Sequence, residues 1–289
     1  FRDMGGRDYV DIELKKCLSM GLIEGPDFLA SGKLITVTGG HCWFIGCECD
    51  NAYEVKKAAR EQWKAEADLL KVMATGGVLT KGNDSNATQL TAEEMSVAVE
   101  EAHKIGKKVA AHAQGNGGIK NALRAGVDSI EHGIFLDDEA IEMMLAKGTF
   151  LVTTLSAQIN IIENGTAAGI PAYVVDKTKR YIESSLKSFS MARKAGVKIA
   201  MGTDMGTPFN NFDASPNEIL YMIDAGMTPM QAITAATGNA AELLGIQDRY
   251  GTLEEGKAAD FIILPENPLL NPRAIIGSKE VFKKGKKIN

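Results

Sequence analysis

The segment LLKVMATGG, residues 69–77, contains a short apolar run that ends at the pair Gly76–Gly77. A run of this length bounded by glycines predicts a buried strand that leads into a loop. Lys71 lies inside the run, and a lysine is rarely buried unless its charge is paired or removed. Periodicity alone leaves two interpretations open. Either Lys71 belongs to a site, or its stem extends along the surface and its ammonium reaches water.

Around this segment, apolar runs alternate with helical patterns along most of the chain. Predicted helices include residues 52–67, residues 171–195 and a helix opened by the capping-box pattern of Thr91 and Glu94. Short apolar strands separated by helices are typical of βαβ units, whose parallel sheet is buried on both faces. We predict strands at residues 33–38, 69–73, 108–112, 128–132, 150–154 and 197–201.

The repeated unit predicts an α/β fold, either a (β/α)8 TIM-like barrel or a doubly wound sheet. A barrel has more strands than the six predicted here, so we expect its first two strands to precede residue 1. After residue 245 the helical pattern stops, and short β-like runs at 261–264, 274–276 and 280–282 follow. We therefore predict a barrel domain at residues 1–245, with strands 3–8 only. Residues 246–289 would form the C-terminal part of a small β-sandwich domain.

The composition narrows the range of functions. The net charge of −5 and the pI of about 5.5 give no support for nucleic-acid binding, which usually needs a basic face. No apolar run is long enough to span a membrane, and four cysteines in 289 residues do not suggest a disulfide framework. We expect a cytoplasmic protein that acts on a small molecule.

Residues capable of chemistry stand at the carboxyl edges of four different predicted strands: Lys71, His112, His132 and Asp204. In a barrel this edge is the active-site face. Each residue alone has an ordinary interpretation, as a hydrogen-bonded core histidine or a turn aspartate. Two imidazoles and a carboxylate are zinc-type ligands. Their occurrence at equivalent positions therefore predicts a metal site.

Lys71 fits such a site only if its charge changes. A buried lysine has a lowered pKa and can be neutral. A neutral amine can add carbon dioxide and become a carbamate, an anion whose two oxygens can bridge two metal ions. On this hypothesis Lys71 carries a bridging anion in place of a buried positive charge.

The motifs LLKVMATGG, AAHAQG, SIEHG and GTDMG, together with the tail from residue 228 to residue 264, resemble the amidohydrolase superfamily. The resemblance extends to its branch of imidazolonepropionase-like proteins, metal-dependent Xaa-Pro dipeptidases (prolidases) and arginine/lysine carboxypeptidases. It implies that carboxylated Lys71 bridges two zinc ions and that His112 and His132 bind the second metal. It also implies that Asp204 binds the first metal and transfers the proton.

Two further features bear on this resemblance. The family holds its first metal with an additional H-x-H pair, and no H-x-H occurs in these residues. His41, in the loop TVTGGH, is similar to a histidine that contacts the substrate carboxylate in the dipeptidase branch, although it is equally well an ordinary loop histidine. The implied activity is metal-dependent hydrolysis of an amide bond, with a dipeptide as substrate and a homo-oligomer as the expected assembly. An imidazolonepropionase-like hydrolase of cyclic amides and a non-catalytic barrel fragment remain alternatives.

Overall fold

Most of the apolar runs predicted as strands form strands, and helices separate them. The structure is a computed structural model that describes residues 1–288. Within that range the strands are β1 (Arg2–Asp3), β2 (Leu29–Ala30), β3 (Leu34–Thr36), β4 (Gly46–Glu48), β5 (Leu69–Met73), β6 (Lys108–Ala113), β7 (Ser129–His132), β8 (Phe150–Val152), β9 (Phe261–Ile263), β10 (Glu280–Lys283) and β11 (Lys286–Lys287). The α-helices are α1 (Val10–Ser19), α2 (Ala52–Lys64), α3 (Ala92–His103), α4 (Asn116–Ala125), α5 (Asp138–Lys147), α6 (Leu155–Asn164), α7 (Ala172–Ala195), α8 (Asn217–Asp224), α9 (Pro229–Ala236) and α10 (Gly238–Leu244).

The chain divides into two compact units, Phe1–Leu151 and Val152–Asn289. The first contains a sheet with the strand order β4-β3-β5-β6-β7-β8. The pairs β3–β4, β3–β5, β5–β6 and β6–β7 are all parallel. This confirms the predicted α/β class and is consistent with a TIM-like barrel. The domain boundary predicted at residue 245 stays a prediction.

Strand β5 is buried along its whole length, as its apolar sequence predicts. Leu70 and Val72 are completely buried, as expected when helices cover a parallel sheet. Helix α2 packs against α3, and α3 packs against α4. The predicted capping box is confirmed, because Thr91 accepts a hydrogen bond from the Glu94 backbone while the Glu94 carboxylate accepts one from Thr91 N–H.

Two segments differ from the prediction. Residues 197–201 do not form a strand. Their backbone groups bond to other partners, with Met201 N–H donating to the Ala235 carbonyl and the Asn239 side chain donating to the Ile199 carbonyl. The run predicted at 274–276 falls largely within a 3-10 helix, Pro272–Ile275, where the fixed φ of Pro272 favours a helical first turn. Strand β4, the two-residue strands β1, β2 and β11, and helices α1 and α6 were not predicted.

The second unit contains helices α6–α10 and an antiparallel sheet with the order β11-β10-β9. The rings of Phe261 and Phe282 stack across β9 and β10 with their centroids 4.7 Å apart. The β-like runs predicted at 261–264 and 280–282 are therefore confirmed as strands. Within residues 1–288, no helix is long and apolar enough to cross a membrane.

Glu101 is a buried charge on the helical layer of the first unit. Its side chain is 3% exposed, and its two oxygens accept hydrogen bonds of 3.1 Å each from the Arg60 guanidinium. Lys104 lies 2.6 Å away. The hydrogen bond from Arg60 is the main cause that lowers the pKa of Glu101 to about 2. This pair joins α2 to α3.

The Glu101→Gln variant should be less stable than the wild type by about 1–2 kcal/mol, because a charged hydrogen-bond acceptor is lost and its cations are partly exposed. A folded-state pKa of about 2, below the ordinary 4.5, means that this contribution is fully present above pH 4.5 and is lost as the pH falls toward 2. Urea unfolding at pH 7 and pH 3 measures the difference. Glu280→Gln, which removes an exposed ion pair with Lys287, should change stability little, and an equal loss in both variants would contradict the assignment.

Candidate active site

The hydrogen-bond register of the central strands aligns the predicted site residues. Lys71 of β5 pairs with Ala110 of β6, and Met73 pairs with His112. Register partners in a parallel sheet project their side chains to the same face. Lys71 and His112 therefore lie on one face of the sheet, two residue pairs apart along the strands.

Three imidazoles meet at this edge of the sheet. The ring centroids of His112 and His132 are 4.7 Å apart, and those of His41 and His112 are 4.3 Å apart. His112 is 2% exposed and His41 is 5% exposed, while His132 at the end of β7 remains partly accessible. Lys71, His112, His132 and His41 are thus brought together within the first unit.

Burial and neighbouring charges keep two of these histidines neutral. The pKa of His112 lies well below its usual 6.5, first because of desolvation and then because of His41, His132 and Lys71. Desolvation and Lys71 likewise lower the pKa of His132. Lys71 is 5% exposed and projects to the sheet face that carries His112, so its side chain does not extend to water. Neutral imidazole is the form that binds metal ions.

His41 is held tightly in the loop after β3. Its Nδ1 lies 2.9 Å from the Thr80 hydroxyl, which also accepts a hydrogen bond of 3.1 Å from the Cys42 backbone. Gly77 packs against the ring, and a Cβ atom at that glycine would lie only 2.3 Å from His41 Cε1 and 2.4 Å from Nε2. A glycine is therefore needed at position 77 for close approach to the imidazole.

Asp204 belongs to the second unit and is exposed there. It has the left-handed backbone value φ 53°, which is uncommon for a residue with a side chain. The buried Asn210 holds the loop, because its amide donates to the carbonyls of Thr203 (2.5 Å) and Asp204 (3.1 Å). Asn210 was not predicted from sequence, since a loop asparagine has many ordinary interpretations.

Glu218, also in the second unit, is fully buried and caps the start of α6. Its carboxylate accepts hydrogen bonds from Leu155 N–H (2.9 Å), from Ser156 N–H (2.7 Å) and from the Ser156 hydroxyl. Burial is the main cause that raises the pKa of Glu218 to about 7. The charge of Asp204 adds to this rise.

The residues of the first unit fit a metal site in their chemistry. Two neutral imidazoles and a buried amine form the donor set, and all three groups share one edge of the sheet. Within residues 1–288, no group of three or more His, Cys, Asp or Glu side chains is already arranged around a common cation position. His112 Nε2 lies 2.9 Å from the Gly76 carbonyl, which can only accept, so Nε2 carries the ring hydrogen and Nδ1 keeps the lone pair that a cation would need. The four cysteines are free thiols.

Sequence reasoning missed several residues that shape this site. Thr80 and Gly77 hold His41, but a threonine and a glycine in a loop carry no distinctive signal. Arg2 donates to Glu131 across 2.7 Å, directly before His132. The glutamate inside the apolar strand SIEH was a usable signal, because a charge in a buried strand needs a partner.

Comparison with known proteins identifies the family. Residues 1–288 match the model of the amidohydrolase family, and the chain belongs to that family. It is 36% identical to ochratoxinase from Aspergillus niger over 93% of this chain and 60% of the ochratoxinase. The crystal structure of the A. niger ochratoxinase superposes with a TM-score of 0.87 at 34% identity, covering 99% of this chain and 70% of the other.

Two further proteins represent other branches of the family. A crystal structure of a Xaa-Pro dipeptidase with bound methionine in its active site has a TM-score of 0.91 and 35% identity, covering 99% of this chain and 74% of the other. Imidazolonepropionase from Shewanella baltica is 26% identical over 72% of this chain and 49% of that protein. The chain thus spans less than two thirds of the curated ochratoxinase sequence and about half of the curated imidazolonepropionase sequence.

The Gly77→Ala variant should be destabilised by about 1–3 kcal/mol, because the added methyl group would overlap the His41 ring and force it to move. Urea unfolding measures the loss, and the chemical shifts of the histidine ring protons report the displacement of His41. The control is Gly277→Ala, where the nearest atom would lie 3.6 Å from the new Cβ. Equal unfolding curves for Gly77→Ala and the wild type would contradict the described packing.

Proposed function

We propose that this protein is a metal-dependent hydrolase that cleaves an amide bond beside a substrate carboxylate, as a dipeptidase of the Xaa-Pro or Xaa-Arg/Lys type. The observation that carries the proposal is the meeting of Lys71, His112 and His132 at one sheet edge, with the pKa of both histidines lowered. Membership of the amidohydrolase family supports hydrolysis as the reaction class.

Two divalent cations, which we propose are zinc, would be held by Lys71 in its carbamate form and by His112, His132 and Asp204. When bound, such cations lower the pKa of a water molecule and polarise a carbonyl oxygen. Formation of the carbamate joins Lys71 Nζ to the carbon of carbon dioxide and releases one proton from the amine. Burial of Lys71 favours this step, because desolvation disfavours the ammonium form.

Asp204 is proposed as the group that moves the proton. Its carboxylate would accept a proton from the attacking water and return it to the nitrogen of the leaving amine. Its exposure and the hydrogen bond from Asn210 to its backbone carbonyl support this role. The side chain is open to solvent while its backbone is held by Asn210.

His41 is proposed to bind the carboxylate of the substrate. The Thr80 hydroxyl accepts from Cys42 N–H and keeps its own hydrogen, which it can donate to His41 Nδ1. Nε2, which lies 3.5 Å from Cys42 Sγ, then carries the ring hydrogen and would donate it to a substrate carboxylate in place of the thiol. A loop histidine whose tautomer is not fixed by a hydrogen bond would bind a carboxylate less tightly.

Of the two enzyme alternatives, the similarities favour the dipeptidase. Identity to the Xaa-Pro dipeptidase structure is 35% with 99% of this chain covered, against 26% with 72% covered for imidazolonepropionase. The similarity to ochratoxinase makes the substrate of that enzyme a second compound to assay. A panel of dipeptides with C-terminal proline, arginine or lysine, together with that substrate, tests the assignment.

Zinc content separates the enzyme from a non-catalytic scaffold. Elemental analysis of the whole protein, purified with zinc and bicarbonate, should give about two ions per chain where an H-x-H pair completes the first metal site, and Lys71→Ala should lose most of them. The control is Lys107→Ala, which changes a half-buried lysine just before β6. One ion per chain, unaffected by Lys71→Ala, would favour a mononuclear site and the cyclic-amide alternative. No ion at all would remove the support for hydrolysis.

Replacing His41 should mainly weaken substrate binding. His41→Ala should raise KM by about 10–100-fold, because a hydrogen bond to a charged group is lost. The change in kcat should be much smaller. His103→Ala, which changes an exposed histidine paired with Asp128, is the control and should leave both constants unchanged. A loss confined to kcat would place His41 in the chemical step and contradict the binding role.

A further inference from the structure

A buried ion pair lies directly beside the candidate metal ligands. The Arg2 guanidinium donates to Glu131 Oε1 at 2.7 Å and to Ser129 Oγ at 3.1 Å. The Ser129 hydroxyl in turn donates to the same carboxylate oxygen at 2.5 Å. The side chains of Arg2 and Glu131 are 10% and 6% exposed, and Ser129 is completely buried. We call these three residues the Arg2 clamp.

The clamp shares its sheet face with the site. Glu131 is the register partner of His112, and Ser129 is the register partner of Ala110. Ala110 in turn pairs with Lys71. The side chains of Glu131 and Ser129 therefore project to the face that carries Lys71 and His112. The clamp holds the carboxyl-terminal end of β7 from this face of the sheet.

His132, the next residue, has an unusual backbone. Its φ is 72° and that of Gly133 is 58°, so two consecutive residues adopt the left-handed region that residues with a side chain rarely occupy. Such a conformation persists only where the surrounding structure determines it. After His132 in the chain, Gly133 N–H donates to the carbonyls of Ala113 (3.1 Å) and Glu131 (3.0 Å). Before His132, the Arg2 clamp holds the Glu131 side chain.

We propose that Glu131, held by Arg2 and Ser129, is a positioning residue that keeps the left-handed turn in the conformation presenting His132 beside His112, and so sets the affinity for the divalent cation. This inference rests on the proposed function. Glu131 acts through the backbone of its neighbour and does not itself contact the substrate.

The competing explanation is purely electrostatic. Glu131 could favour a nearby cation by its charge alone, and Arg2 would then oppose it. The two explanations predict opposite effects for Arg2. If charge alone mattered, Arg2→Met would strengthen zinc binding while Glu131→Gln weakened it. If the clamp positions His132, both substitutions weaken zinc binding.

The test measures the zinc dissociation constant by competition with a chromophoric chelator, together with the melting temperature of the metal-free protein. We expect Arg2→Met and Glu131→Ala each to weaken zinc binding by about 10–100-fold, the range typical of residues that orient a ligand. Glu131→Gln should recover part of the loss, because the amide oxygen still accepts from Ser129. Ser129→Ala, the mildest change, should weaken zinc binding by about 3–10-fold. This variant tests the inference even where the larger substitutions prevent folding.

The matched control is the Arg60–Glu101 pair, which is also a buried glutamate with an arginine partner but joins α2 to α3. Arg60→Met and Glu101→Gln should lower the melting temperature without changing zinc affinity. If the clamp variants behave in this same way, Glu131 is only structural and the inference is overturned. Stronger zinc binding in Arg2→Met would overturn it in favour of the charge effect. Absence of zinc binding by the wild type would instead contradict the proposed function.

Discussion

The parallel register of β5, β6 and β7 is the constraint on which the site depends. It sets Met73 opposite His112, and His112 opposite Glu131. A slip of one residue in either pairing would turn these side chains to the other face of the sheet. The register is fixed by apolar side chains such as Leu70 and Ile130, which are completely buried. The core and the site are therefore specified by the same hydrogen bonds.

Desolvation links this geometry to chemistry. The core that surrounds His112 lowers its pKa, and Lys71 lowers it further. A buried positive charge beside two imidazoles is unfavourable, so either the lysine or the histidines must be neutral. Binding of a cation by neutral imidazoles and conversion of the amine to an anion would both relieve this conflict. The arrangement of these side chains is thus electrostatically unfavourable when no cation is bound and would become favourable when they bind one.

Much of the fold followed from local pattern. The run at residues 69–73 and the capping box at Thr91 are confirmed at the predicted residues, because strand burial and helix capping depend on neighbouring residues. The strands predicted at 197–201 and 274–276 are wrong. The cause is hydrogen bonding to distant residues in the first segment and a single proline, Pro272, in the second. Ile199 and Met201 bond to Asn239 and Ala235, and no pattern near residue 200 encodes those partners.

The sequence by itself determined the α/β class, the strands that carry Lys71, His112 and His132, and the family, because periodicity and motifs are properties of short segments. Only the tertiary structure decided that Lys71 is buried on the sheet face of His112 and that the tilted ring of His41 contacts His112. It alone joined Arg2 to Glu131, two residues far apart in the chain. Contacts of that kind arise when the sheet forms, since they depend on the register between strands and on the burial that packing creates.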